Sequence, residues 1–188
     1  MSQVVFDIIN RFTPISQDEY AMHIVPRLQL SIFKKGDTFI NNGQYNRRLG
    51  ILKSGLFRSY YYDDNGDEIT TAFIEKESFF TDLNSYQTSN PSERTIKALE
   101  RSLLYILTND NLTAIRASVK NWTIFEKMYY EKILRDKINF QRKLTISTKK
   151  EAFQLFIETY PQAAKYAPRQ HIASFLGMTP YTLSRIKL

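Results

Sequence analysis

The placement of glycine constrains the fold more than any other feature of this chain. Five of the six glycines lie between residues 36 and 66, where they separate short runs of strand-forming residues. The pair Asn65-Gly66 predicts a β-hairpin, because both residue types tolerate the backbone angles of a two-residue turn. Short strands separated by such turns over residues 30–107 predict an antiparallel sandwich, jelly roll or barrel.

Composition excludes several kinds of chemistry. The 188 residues include no cysteine, which excludes disulfides, iron–sulfur clusters and thiolate zinc sites. His23 and His171 lie far apart, so neither a histidine metal centre nor a haem is expected. We interpret His23 as structural and His171 as a surface or phosphate-contacting residue. There is no Gly-rich phosphate loop and no Gly-x-Ser-x-Gly motif, so we assign no catalytic residues and expect no enzyme.

The location of the protein is predicted from what the chain lacks. The N-terminal segment MSQVVFDIINRF has no long apolar core behind a basic start, and no run of 18 apolar residues occurs. A signal peptide and a membrane span are therefore not expected. These patterns predict a soluble cytoplasmic protein without a membrane partner.

Positive charge is concentrated in the last third of the chain. Residues 120–188 carry 13 Lys and Arg against 5 Asp and Glu, whereas residues 1–119 carry 13 against 14. This asymmetry indicates a nearly neutral module joined to one that meets a polyanion. A solvated basic helix surface is the alternative explanation.

A long helix without Gly or Pro is predicted over residues 121–144. Its apolar residues form two faces, one with Trp122, Phe125, Tyr129, Ile133, Phe140 and Leu144 and the other with Ile124, Met128, Leu134 and Ile138. A surface helix needs only one apolar face, so the second predicts contact with the same helix of another subunit. The dimer-helix residues that we select are Phe125, Tyr129, Ile133 and Phe140. Burial within a single chain is the alternative.

The C-terminal segment predicts two short helices joined by a tight turn. Pro168 begins the first helix, Gly177 ends it, and Thr179 caps the second. Two helices joined in this way, with polar residues facing outward, form a pattern typical of a helix-turn-helix. The predicted DNA contacts are Arg169, Gln170, Thr179, Tyr181, Thr182, Ser184, Arg185 and Lys187. An ordinary αα-hairpin with a solvated face is the alternative.

The run HIASFLGMTPYTLSRIK resembles the helix-turn-helix signature of Crp/Fnr-type bacterial regulators, which commonly reads I-A-x-x-L-G-x-T-x-x-T-L-S-R. The matching residues are Ile172, Ala173, Leu176, Gly177, Thr179, Thr182, Leu183, Ser184 and Arg185. The segment ILKSGLFRSYYYDDNGDEIT is similar to the hairpin of the family's β-roll, so the resemblance covers nearly the whole chain. The wording LGMTPYTLSRIK and the short ending look most like the branch common in Bacteroidetes.

The resemblance implies an α+β protein in three parts. Residues 1–120 would form an antiparallel β jelly roll of cyclic-nucleotide-binding type, 121–145 a dimerisation helix, and 146–188 an all-α helix-turn-helix domain. The function implied is that of a homodimeric transcription regulator, which binds a roughly palindromic operator in double-stranded DNA and responds in some cases to a small effector. The alternative is a cupin-like small-molecule-binding protein with an incidental basic tail, against which the missing histidine cluster counts.

The recognition helix departs from the family pattern at two positions. Many members carry Arg-Glu before the Thr of the second helix, where this chain has Pro180 and Tyr181. The acid that reads bases in those members is therefore missing. Arg185 matches the family's arginine and can pair with guanine or a phosphate, while we expect Tyr181 to contact a thymine methyl group or a phosphate.

The effector pocket also departs from the pattern. Members that bind cyclic AMP use Gly-Glu and a later Arg-Ser/Thr-Ala. This chain has Thr81-Asp82 in the first place, and Ile96 follows Arg94-Thr95 in the second. The residues that the resemblance assigns to the pocket are Thr81, Asp82, Leu83, Arg94 and Thr95. The carboxylate of Asp82 is shorter than that of Glu, the Gly is missing, and alignment of the strand after Arg94 shifts Arg94 away from the position that pairs with the phosphate. These three differences predict that cyclic AMP does not bind. An empty structural roll is favoured, and another small anion at Arg94 is the second interpretation.

Overall fold

The computed structural model describes residues 3–186. The strands are β1 (Gln29–Phe33), β2 (Thr38–Ile40), β3 (Arg48–Ser54), β4 (Phe57–Tyr62), β5 (Glu68–Ile74), β6 (Ser78–Phe80), β7 (Thr95–Ala98) and β8 (Ser102–Thr108). The helices are α1 (Gln3–Asn10), α2 (Gln17–Glu19), α3 (Leu83–Thr88), α4 (Asn109–Ser118), α5 (Trp122–Ile146), α6 (Lys149–Thr159), α7 (Pro161–Tyr166), α8 (Arg169–Phe175) and α9 (Pro180–Ser184). None of these helices is long and apolar enough to cross a bilayer.

The strands form two four-stranded antiparallel sheets. The first has the order β1-β8-β3-β6 and the second β2-β7-β4-β5. The predicted hairpin at Asn65-Gly66 is confirmed, since it joins β4 to β5 and Gly66 has a φ of 84°. The turn at Ser54-Gly55 instead carries the chain from one sheet to the other. Gly55 has a φ of 105° there, and a Cβ atom would lie 2.1 Å from Ser102 Oγ.

Gly50 lies inside β3, although the sequence pattern places it in a turn. A Cβ atom at this position would lie 2.6 Å from the ring of Phe80, which is in the paired strand β6. Phe80 is buried and packs against the rings of Phe39 and Phe57. The absence of a side chain at Gly50 therefore leaves room for the ring of Phe80 in the core.

The alternation of side chains separates two cores. In β6, Phe79 faces the helices and Phe80 faces the space between the sheets. The core between the sheets contains Phe39, Ile40, Leu52, Phe57, Phe80, Ile96, Ala98, Leu104 and Ile106. On the other side of the first sheet, α1, α4 and the start of α5 bury Val5, Ile8, Ile9, Leu112, Ile115, Trp122, Phe125 and Tyr129. The two sheets therefore face each other, and the helices cover one outer surface.

The C-terminal helices pack on the second sheet. Their core includes Leu56 and Phe73 from the sheet region together with Phe153, Phe156, Ala163, Ile172, Ala173 and Leu183. Thr148 and Glu151 form a capping box at the start of α6. The segment QAAKYA belongs to a helix, because Pro161 ends α6 and starts α7.

Candidate functional site

The turn between α8 and α9 has the geometry that the sequence predicts. Gly177 has a φ of 62°, and the amide of Met178 donates to the Ala173 carbonyl at 2.9 Å. Thr179 Oγ1 accepts from the amide of Thr182 at 3.1 Å and so caps α9, with Pro180 at its first position. Ala173 and Leu183 are fully buried where the two helices pack. The two helices are therefore held in one orientation by a short, rigid turn.

The outward face of α9 places Tyr181, Ser184 and Arg185 at the surface. Thr182 is partly buried, and its hydroxyl lies 2.9 Å from that of Thr179. Ser184 Oγ donates to the Tyr181 carbonyl at 2.8 Å. These three hydroxyls are thus engaged within the turn and helix, while the Tyr181 and Arg185 side chains extend outward.

The remaining predicted DNA contacts lie on α8 or outside the described residues. Gln170 is exposed on α8. Arg169 Nη2 donates to the Leu183 carbonyl at 3.2 Å, and the guanidinium lies 5.7 Å from the Phe153 ring centroid. Arg169 therefore joins α8, α9 and α6 within the chain. Lys187 lies outside the described residues.

The two apolar faces of α5 differ from the assignment made from sequence. Of the four predicted dimer-helix residues, Phe125, Tyr129 and Phe140 are buried inside the chain, and only Ile133 is exposed. Ile133 lies on the same side of the helix as those three, where α5 passes over a cavity. The second face is exposed instead, and it consists of Ile124, Met128, Leu134 and Ile138. It covers about a third of the helix circumference at 3.6 residues per turn.

The cavity has a volume of about 900 Å³ and runs from the sheets along α5 to the C-terminal helices. Of the predicted effector residues, Thr81, Asp82, Leu83 and Arg94 line it. Thr95 does not, because its neighbour Ile96 faces the cavity and adjacent strand residues point to opposite sides. Thr95 Oγ1 instead accepts from the Asn42 amide at 3.1 Å.

The polar groups at the inner end of the cavity bind one another. Ser92 Oγ donates to the carboxylate of Asp82, which is buried. Thr81 Oγ1 donates to the Arg48 carbonyl at 3.0 Å and accepts from the side-chain amide of Asn46. The sequence analysis missed Asn46, which lies 36 residues from Asp82, and Ser92, which lies 10 residues from Asp82 beyond α3. Both residues hold the Thr81-Asp82 segment in place.

Arg94 lies where the cavity meets the surface. It also lines a shallow groove with Asn42, Tyr61, Tyr62 and Glu93. Its backbone amide donates to Ser92 Oγ at 3.1 Å, and its side chain is exposed. The guanidinium is therefore accessible from solvent and lies apart from the buried Asp82 carboxylate.

Tyr129 connects α5 to the strand that leads into the pocket segment. Its hydroxyl accepts from the Phe79 amide at 2.8 Å, and burial raises the pKa of Tyr129 to about 12. Phe79 lies two residues before Thr81. A displacement of the pocket segment would therefore act directly on the long helix.

The junction between α8 and β5 contains a small polar network. Ser174 Oγ accepts from the Thr70 amide and donates to the Glu68 carbonyl, both at 3.0 Å, on the edge strand of the second sheet. Arg58, buried in β4, pairs with Glu68 and donates to Thr70 Oγ1 at 2.8 Å. Burial, with a further contribution from the Arg58 charge, lowers the pKa of His171 to about 4. His171 is half-buried at this junction, which corrects its interpretation as a surface residue.

Within residues 3–186, no three carboxylate or histidine side chains come together as a metal site.

Residues 30–118 match the family model of the cyclic nucleotide-binding domain. No curated protein sequence matches the chain.

Several solved bacterial structures have a similar fold. FixK2 from Bradyrhizobium japonicum is 17% identical, with 85% of this chain and 82% of that chain covered and a TM-score of 0.67. The c-di-GMP responsive global regulator CLP of Xanthomonas campestris is 13% identical, with 90% and 89% covered and a TM-score of 0.69. The catabolite activator protein of Thermus thermophilus is 16% identical, with 93% and 83% covered and a TM-score of 0.57. At these identities the likeness concerns the fold.

Proposed function

We propose that this chain, which contains a cyclic nucleotide-binding domain and shares the fold of Crp/Fnr-type regulators, is a sequence-specific DNA-binding transcription regulator. In this proposal residues 1–120 form the sensor domain, 121–145 the dimerisation helix and 146–188 the helix-turn-helix domain. The regulator acts as a homodimer on a roughly palindromic operator.

The observation that carries the proposal is the α8–α9 unit. A capped second helix follows a tight turn at Gly177, and it presents Tyr181 and Arg185 to solvent. A second helix of this kind can enter the major groove, where an arginine can bind guanine. The excess of positive charge in residues 120–188 supports the same role, because DNA is a polyanion.

The exposed face of α5 supports homodimerisation. Ile124, Met128, Leu134 and Ile138 are between 41% and 59% exposed in the single chain. Pairing of this face with its symmetry mate would remove apolar surface from water and place two α9 helices on one side of the dimer. Two such helices would enter successive major grooves about 34 Å apart.

The cavity supports control by a small effector. In this proposal the effector is not cyclic AMP. The Asp82 carboxylate is bound to Ser92, and Arg94 lies at the cavity mouth. A volume of about 900 Å³ is within the range of small-molecule sites. A roll without a ligand is the simpler case, and a ligand, where present, would be a small anion that reaches Arg94. Such an effector would change the angle between the roll and α5, and thereby the spacing of the recognition helices.

Fluorescence anisotropy with a random-sequence duplex tests DNA binding. We expect affinity to fall steeply as salt rises, since Lys and Arg side chains displace counterions from phosphates. Arg185→Glu should weaken binding far more than Lys53→Glu, which makes the same change in charge at an exposed position on β3. Equal losses would place the binding surface elsewhere. Absence of binding at low salt would refute the proposed function.

A further inference from the structure

Tyr181 and Arg185 form a contact pair on the outward face of α9. They lie four residues apart, which brings their side chains together on one side of a helix. Arg185 Nη1 donates to Tyr181 Oη at 2.8 Å, and the guanidinium carbon lies 5.1 Å from the centroid of the Tyr181 ring. Tyr181 is 67% exposed, so this pair is formed at the surface rather than imposed by core packing.

The pair presents hydrogen-bond donors to whatever binds this face. Tyr181 Oη accepts from Arg185, so its own hydrogen is free to donate to another group. The guanidinium keeps its other N–H groups, and it has no acceptor. The hydroxyls of Thr179, Thr182 and Ser184 are engaged within the turn and helix. No carboxylate lies among the described residues of α9.

We propose that Tyr181 and Arg185 act as one preorganised donor unit that reads a guanine through its N7 and O6 atoms. This inference rests on the proposed function and names what the recognition helix selects. Guanine presents two acceptors side by side in the major groove, and arginine binds them through two N–H groups. Cytosine presents a donor there, and the one acceptor in the pair, Tyr181 Oη, already accepts from Arg185.

Tyr181 is the positioning residue of this unit. An arginine side chain loses considerable rotamer freedom when it is fixed on a base. A tyrosine that holds the guanidinium beforehand, by a hydrogen bond and by its ring face, reduces that loss before DNA arrives. Many family members carry an acid that contacts a base at the position of Tyr181. In this chain Tyr181 instead holds Arg185 in place.

A double-mutant cycle tests the pair on a duplex selected from a random pool by the unsubstituted chain. Tyr181→Phe keeps the ring and removes the acceptor. We expect it to weaken binding to the selected duplex about 3- to 10-fold, in line with one lost hydrogen bond, and to change binding to random duplex less than about 2-fold. Added to Arg185→Ala, it should have little further effect, because the guanidinium that it positions is gone.

Tyr166→Phe is the matched control. Tyr166 is also an exposed tyrosine beside a cation, with Lys165 Nζ 5.0 Å from its ring centroid, but it lies on α7. We expect this variant to bind both duplexes as the unsubstituted chain does. Circular dichroism of each variant would establish that its fold is retained.

A second measurement leaves the protein unchanged. Replacing the guanine of each half-site with 7-deazaguanine removes N7 and keeps O6. We expect about 5- to 50-fold weaker binding by the unsubstituted chain, and a smaller loss by Tyr181→Phe. The proposed pairing would be wrong if Tyr181→Phe and Arg185→Ala weakened binding independently, or if 7-deazaguanine did not weaken it. Either result would leave sequence-specific binding intact. A chain that selects no sequence from the pool would overturn the proposed function and the pair together.

Discussion

Asp82 is the residue that most limits what the cavity can bind. Its carboxylate is buried and accepts a hydrogen bond from Ser92, while Thr81 is bonded to Arg48 and Asn46. Ser92 occupies one oxygen of this carboxylate, so a sugar hydroxyl would have to share that oxygen or bind the other one. A cyclic phosphate would find Arg94 at the cavity mouth rather than beside Asp82.

At this scale we expect isothermal titration calorimetry at physiological salt to give no saturable signal with cyclic AMP. The physical reason is that the exposed side chain of Arg94 lies at the cavity mouth, where it is poorly placed to hold the phosphate of a nucleotide whose ribose lies at Asp82. Arg94→Ala serves as the comparison. A micromolar signal that this variant abolishes would show that the arginine reaches the phosphate, and would contradict our interpretation of the pocket.

At the scale of the element, α5 has one apolar face buried in the chain and one exposed to solvent. One face is anchored in the chain by Phe125, Tyr129 and Phe140, and by the hydrogen bond from the Phe79 amide to Tyr129. The opposite face has no covering segment among residues 3–186 and exposes Leu134 and Ile138. A helix that is apolar on both sides can bind its own domain and a second subunit at the same time.

We therefore expect Ile138→Glu to dissociate the dimer, because it places a charge in an apolar contact. Ile133→Glu is the comparison, since it makes the same change at a similarly exposed site on the other face. It should leave the dimer intact. Sedimentation velocity at equal concentrations distinguishes the two variants. The reverse result, with monomers only from Ile133→Glu, would show that the face over the cavity forms the interface.

At the scale of the whole molecule, the C-terminal helices are docked on the β-roll. Ser174 bonds two backbone groups of β5, and the backbone amide of Ala163 donates to Glu75 at 2.8 Å. Gln162 also donates to the Gly55 carbonyl at 2.9 Å. These bonds surround an apolar core that includes Phe73. The orientation of α9 is thus tied to the sheet through α7 and α8.

We expect His171 to make the stability of the folded chain depend on pH. Its pKa is lowered to about 4 by burial and by the nearby Arg58, against an ordinary value of about 6.5, and Lys97 and Glu68 also face it. Between pH 6.5 and pH 4 the unfolded chain therefore binds a proton at His171 that the folded chain does not bind. The stability contributed by neutral His171 is complete above pH 6.5 and declines as the pH falls towards 4.

Urea unfolding at pH 7 and pH 5 measures this effect. We expect the midpoint to fall more between these values in the unsubstituted chain than in His171→Gln, which has no proton to gain. Carboxylates titrate in both proteins, so the difference between the two falls isolates the histidine. Identical falls would mean that His171 keeps its ordinary pKa at the junction.

Much of the fold follows from local sequence. Asn65-Gly66 produces the β4–β5 hairpin, Ser16 with Glu19 forms a capping box, and Thr179 with Pro180 starts α9 as expected. Each of these depends on the backbone preferences of a few adjacent residues. The run from Ile172 to Arg185 predicts the α8–α9 unit for the same reason, since its turn and caps are local.

Only the tertiary structure decided which surfaces are free. The periodicity of α5 identifies two apolar faces, but the sheet it packs against determines that Phe125 is buried and Ile138 exposed. The same holds for Asn46, whose side-chain amide reaches Thr81 because β3 pairs with β6. It holds also for His171, whose neighbour Arg58 is more than 100 residues away in sequence. Turns and caps are determined locally, whereas burial and pairing depend on contacts between distant segments, which sequence spacing alone does not encode.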